Sequence, residues 1–189
     1  MPGNNLLTDP LFSVRVRSGS VQLDLPGLLE ALGRKEVESL PALQRHQEDA
    51  FHVFLCSLAA SVLLRLGAAD PTQVAGFWRE GIRALTEAEG CADDGAWTLV
   101  VEDWSRPAFM QSPAPDARAY SPKALTPDVL DLLPTAKNHD LKSSRLAAFE
   151  PEDWVFALIS LQTMSGVFGS GNYGVARMNG GYGSRAVAG

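Results

Sequence analysis

One stretch limits what this chain can fold into more than any other. Residues 166–185 read Gly-Val-Phe-Gly-Ser-Gly-Asn-Tyr-Gly-Val-Ala-Arg-Met-Asn-Gly-Gly-Tyr-Gly-Ser-Arg, and seven of the seventeen glycines lie between 166 and 183. Each interior Gly costs a helix about 1 kcal/mol relative to Ala, so this segment is not a stable helix. Gly is useful where backbone must approach a ligand closely or take positive φ. No Asp or Glu follows Asp153, and the only ionised side chains in the stretch are Arg177 and Arg185. With arginine, asparagine and aromatics interleaved, the natural ligand is a phosphate-bearing or base-bearing molecule.

Three readings of the stretch compete. A flexible linker would favour Ser over Phe, Tyr and Met. A nucleotide-binding loop is suggested by Gly169-Ser170-Gly171-Asn172-Tyr173-Gly174, which satisfies G-x-G-x-x-G. That motif needs a strand before it, a helix after it and an acid about 20 residues on. Here a helical pattern precedes it, Met178-Asn179-Gly180-Gly181 follows, and no acid comes later. The kinase variant fails too, since position 176 is Ala and no lysine follows Lys142. The third reading is a nucleic-acid-contacting loop.

Charge narrows the choice. The 189 residues carry a net charge of -6, against a general nucleic-acid binder. The acid is unevenly placed. Residues 135–189 hold five cations (Lys137, Lys142, Arg145, Arg177, Arg185) against Asp140, Glu150, Glu152 and Asp153, which leaves the first 134 residues at -7. A polyanion would meet the C-terminal third, with help from other subunits. The length suits one domain, and a hydrophobic fraction of 46% is sufficient for a core. Cys56 reads as a small core residue in an apolar run, and Cys91 follows Gly90; without C-x-x-C, neither a zinc ribbon nor a redox motif is supported. The first ten residues lack the basic and apolar regions of a signal peptide, and the apolar run 53–66 is too short for a bilayer. The expected location is the cytoplasm, with no membrane partner.

Along the chain, 11–25 predicts a β-hairpin. Phe12, Val14 and Val16 alternate with Ser13, Arg15 and Arg17, Ser18-Gly19 turns, and Val21, Leu23 and Leu25 resume the alternation. Arg15 and Arg17 read as solvated edge charges. A short helix at 26–32 ends at Gly33. A long helix is expected from Pro41 to Leu66, stopped by Gly67, central and buried because its second half is apolar nearly all round. Asp70-Pro71 predicts the start of the next helix, with Val74, Phe77, Trp78, Ile82 and Leu85 inward. A strand at 97–101 and a loop pinned by aromatics at 104–111 follow. A short helix is expected at 128–133, and a last helix from Pro151 to Gly166. The fold class is α+β, mostly helical, with a small antiparallel β element and long loops.

The segment 135–145 is polar and basic. Lys137, Asn138, His139, Lys142, Ser143 and Arg145 are residue types that phosphate and sugar recognition draws on, although a solvated loop has the same composition. Asn138-His139-Asp140 hints at acid–base chemistry, but no nucleophile accompanies it, so no catalytic residue is assigned. His46 and His52 are six residues apart rather than four, which gives no helical metal pair. No metal or cofactor is expected.

Several segments together resemble the N-terminal region of the large subunit of the type I-E CRISPR surveillance complex, Cascade (the CasA family). They are Asn5-Leu6-Leu7-Thr8-Asp9-Pro10, Pro107-Ala108-Phe109-Met110-Gln111, Ala136-Lys137-Asn138-His139-Asp140 and the Gly-rich stretch through Asn179-Gly180-Gly181. The resemblance implies a noncatalytic subunit that helps recognise the protospacer-adjacent motif (PAM) in double-stranded DNA for antiviral defence. Its partners would be guide RNA, double-stranded DNA, the other Cascade subunits and a recruited helicase–nuclease. It implies DNA contact through Gly166, Phe168, Gly169, Ser170, Gly171, Asn172, Tyr173, Arg177, Asn179 and Arg185. It implies contact with the guide-RNA handle through Lys137, Asn138, His139, Lys142 and Ser143. The aromatic-Ile-Pro-Val stretch of the family is replaced by Leu11-Phe12-Ser13-Val14. Family members are more than twice this length, so residues 1–189 correspond to the N-terminal domain or part of it. Their wedge and C-terminal helical bundle would lie beyond Gly189. The alternatives are a nucleotide-binding enzyme using the Gly-rich loop, or a fragment with only a scaffolding role.

Overall fold

The computed structural model of the chain describes residues 3–111, 113, 127 and 149–163. The fold is α+β: helices packed with two small antiparallel sheets. Strands β2 (Phe12–Val16) and β3 (Gly19–Leu23) form the expected hairpin, with Phe12 opposite Leu23 and Val14 opposite Val21. Its turn is Arg17-Ser18, one residue earlier than the Ser-Gly pair suggests, because Gly19 takes φ 136° and closes the ladder opposite Val16. Arg15 and Arg17 are exposed. Strand β4 (Val37–Ser39) joins the far side of β2, with a register shift at Arg15/Val16. Strand β1 (Gly3–Asn5) pairs with β5 (Thr98–Val100) across almost the whole described N-terminal part.

Helix α1 (Leu25–Gly33) starts where expected because Asp24 accepts a hydrogen bond from Gly27 N at 2.7 Å and Pro26 sits in the first turn. Helix α2 (Glu48–Leu66) ends on Gly67 in the left-handed region, but it begins seven residues after Pro41. Residues 41–47 turn instead, held by Leu43 N to Leu40 O and by the Gln47 side chain on Gln44 N. Helix α3 (Ala75–Ala88) also starts later than Asp70-Pro71 predicts. The Asp70 carboxylate takes Thr72 N and Oγ1, a local turn that competes with the helix. The first-turn donor Ala75 N is met from α1, by Glu30 Oε2 at 2.6 Å. Val74 therefore lies outside the helix and is 54% exposed, not inward.

The helix buried on nearly every side is α4 (Pro151–Thr163), not α2. Helix α2 buries one stripe, Ala50, Phe51, Leu58 and Val62, while Cys56 is exposed and Leu64 is 84% exposed. By length and composition alone α2 is long and apolar enough to cross a bilayer. Here its stripe packs into the core. Phe12 of β2, Phe51 of α2 and Phe156 of α4 meet at the centre; Phe51 and Phe156 stand edge to face with centroids 4.9 Å apart. Phe109 joins by packing on Phe54 and Trp97, as expected of a pinned loop, whereas Trp104 stays exposed.

Candidate functional site

Every residue singled out for DNA contact (Gly166, Phe168, Gly169, Ser170, Gly171, Asn172, Tyr173, Arg177, Asn179, Arg185) or RNA contact (Lys137, Asn138, His139, Lys142, Ser143) lies outside the described residues. So does the helix expected at 128–133. The described residues supply the elements that flank those segments in the sequence.

Helix α4 immediately precedes the Gly-rich stretch, and it is held near both ends. At its start the Glu152 side chain, only 5% exposed, accepts from Ser13 N at 2.8 Å and Ser13 Oγ at 2.6 Å on β2. A buried carboxylate is tolerated here because both oxygens have donors. Val155, Phe156 and Ile159 then pack into the core. In the last turn Gln162 Nε2 donates to Met110 O at 2.9 Å. Met110 takes φ 56°, unusual for a side-chain-bearing residue, and this turn aims its carbonyl at α4. Gln111 Nε2 donates to Leu99 O at 2.9 Å, and Phe109 N donates to Thr98 O, which ties the same loop to β5. Gln162 Oε1 and Trp97 Nε1 are buried without a hydrogen-bond partner among the described residues.

The opening motif has a structural role. Asn5 Oδ1 accepts from Leu7 N, Asn5 Nδ2 donates to Asp94 O and Thr98 Oγ1, and Asp9 Oδ2 accepts from Asn5 N. Leu6 and Leu7 are fully buried. Arg79 reads this turn from α3: its Nε donates to Leu7 O at 2.8 Å and its Nη2 pairs with Asp24 at 2.5 Å. Thus Asn5-Leu6-Leu7-Thr8-Asp9 and Pro107–Gln111 act as connectors, joining β5, α1, α3 and α4.

Near β5 lies a group of paired charges. Arg83 holds both oxygens of Asp94, at 2.9 and 2.6 Å, and the Asp94 side chain raises the Arg83 pKa above its ordinary value. Asp93 is bonded by Gly95 N and by Arg106, which together hold its carboxyl below the usual 3.8. Each charge is neutralised locally, and the Asp93 carboxylate also stabilises the turn at Gly95. Among the described residues no three His, Cys, Asp or Glu side chains converge as metal ligands. His52 Nε2 lies 3.5 Å from Cys56 Sγ on the exposed side of α2, a pair invisible to the six-residue His spacing. Glu152, Gln162 and Met110 are the positioning residues that sequence reasoning did not isolate. Only Gln162 carries a local signal, as a polar side chain set among the apolar residues of the last helix; Glu152 sits beside Asp153 in an acidic first turn, and Met110 is an ordinary loop residue in sequence.

Comparison with known protein families, with characterised proteins and with solved structures finds no match for this chain.

Proposed function

We propose that this chain is a noncatalytic nucleic-acid-recognition subunit of an RNA-guided CRISPR surveillance complex, working in the cytoplasm with guide RNA, double-stranded DNA and other Cascade subunits. The observation that carries the reading is the sequence placement of the Gly-rich stretch directly after α4, a helix fixed by Glu152 at one end and Gln162 at the other. A side-chain-poor backbone suits the narrow minor groove, whose pattern of acceptors mostly separates A·T from G·C pairs. Arg177 and Arg185 would position the duplex through phosphates, and Asn172 and Asn179 would reach base edges. The protein would read a short motif while guide pairing reads the rest. The 135–145 segment would meet the guide-RNA handle.

The test is a gel-shift titration at fixed salt. The complex, assembled with guide RNA and all other subunits, meets a matched duplex with and without this chain. The chain is expected to strengthen binding only when the PAM is present. Gly169→Leu with Gly171→Leu is expected to reduce that gain roughly tenfold or more, the scale of one lost groove contact, with an unchanged thermal midpoint. A folded double variant that binds as well as the parent overturns the assignment. Saturable ATP or NAD binding by the purified chain would replace it with the nucleotide-enzyme reading.

A further inference from the structure

The two edges of the three-stranded sheet are built differently. Edge strand β4 has three residues, carries Glu38 beside Glu36, and meets β2 through an irregular register. Short length, charge and a bulge are the devices that stop an edge from pairing with other chains. Edge strand β3 has none of them. It has five residues, Gly19-Ser20-Val21-Gln22-Leu23, no charge and a regular ladder. Among the described residues nothing pairs with its outer side. In a two-residue hairpin closed by Val16 and Gly19, Ser20 and Gln22 turn their N–H and C=O groups away from β2.

Beside this edge lies a groove of about 760 Å³ between the hairpin and α1. Its floor is apolar: Val16, Val21, Leu23 and Ala31, with Val21 37% exposed. Its rim carries Arg17, Arg34 and Lys35 against Glu30 and Glu36. Glu30 is fully engaged, one oxygen on Arg34 at 2.7 Å and the other on Ala75 N. The Arg34–Glu30 pair cancels itself, so Arg17 and Lys35 against Glu36 leave the groove one positive charge in excess. The opposite edge strand β4 carries Glu38, exposed, which disfavours an acidic strand there.

We propose that β3 is a strand-addition site for an extended acidic segment of another protein. The segment runs antiparallel to β3 and pairs with Ser20 and Gln22. Two apolar side chains at alternate positions face Val21 and Leu23, and an acidic one then faces Arg17 and Lys35. Backbone pairing supplies the binding, and the groove selects the side chains. This surface does not depend on the nucleic-acid function, and the test uses the full chain without nucleic acid.

The probe is the labelled peptide acetyl-Val-Thr-Val-Thr-Glu-Thr-amide, followed by fluorescence anisotropy and by exchange protection of the Ser20 and Gln22 amides. Saturable binding with protection of both amides is expected. Replacing the probe's Glu by Lys should weaken binding by about tenfold, as reversal of a charge contact does. Gln22→Pro removes an outward N–H without touching the β2 ladder and should abolish binding. If that variant loses the hairpin, Val21→Asp keeps every backbone group, charges the groove floor and should give the same loss. No protection at millimolar peptide, or equal binding of the Lys probe, overturns the proposal. So do a sedimenting dimer and protected Ser20 and Gln22 amides in the free protein, since a second copy then occupies the edge.

Discussion

At Gly81 an added Cβ would lie 2.3 Å from Val62 Cγ1 and 3.0 Å from Leu66 Cδ1. That single missing methyl sets how closely α2 and α3 approach. Gly81→Ala is expected to destabilise the protein by about 1–3 kcal/mol, the usual cost of overpacking, read as a lower midpoint in urea. Gly76, also in α3, has nothing within 4 Å of the same position. Gly76→Ala should instead leave stability unchanged or raise it by up to about 1 kcal/mol, through helix propensity alone. In the sequence these two glycines look alike, because propensity is local and the difference comes from a helix fifteen residues upstream. The same holds for Glu152: its place in an acidic first turn beside Asp153 is visible, but its partner Ser13 is not.

The elements that could be read from the chain are those whose signals are local. The β2–β3 alternation, the short helix α1 at Pro26, the Gly67 stop of α2 and the Pro151 start of α4 all appear where their residues put them, within a residue. The errors come from competition or distance. Asp70 chose a tight turn over a helix cap, and α3 found its capping carboxylate on Glu30 of α1. Strand β4 is three residues long and exists through its register with β2. The candidate nucleic-acid residues fall outside the described part, so only α4, which precedes the Gly-rich stretch in the sequence, is on view. At this scale Asp24 is the informative position, since it caps α1 and also pairs with Arg79 of α3. Asp24→Ala should cost about 1–2 kcal/mol in equilibrium unfolding, as loss of an N-cap does. Asp24→Asn keeps the capping oxygen and should recover most of that.

Across the molecule, several exposed carboxylates have their pKa lowered by turns they stabilise. Asp70 is held down by the Thr72 hydroxyl and amide, Asp93 by Gly95 N and Arg106, and Asp103 by the Ser105 hydroxyl and amide. Their folded pKa values lie below 3.8, so their stabilisation is complete above pH 3.8 and is lost as pH falls through the lower, folded values. Stability carried by these groups should therefore be flat from about pH 5 to 8. Below that range the amide protection factors of Thr72, Gly95 and Ser105 should fall first. A loss beginning near neutral pH would contradict this assignment.

The pairing of Gly3 with Val100 and of Ser13 with Glu152 also orders events in time. A chain leaving the ribosome delivers Phe12 and Phe51 long before Phe156, the ring that seals them. Until α4 is synthesised, the first four-fifths of the polypeptide holds an apolar face with no cover, the condition in which nascent chains need chaperones. Closing contacts so distant in sequence makes folding slow for the protein's size. The last described helix is thus the keystone of assembly, and a ribosome that stalls before Pro151 releases a product unable to complete its core.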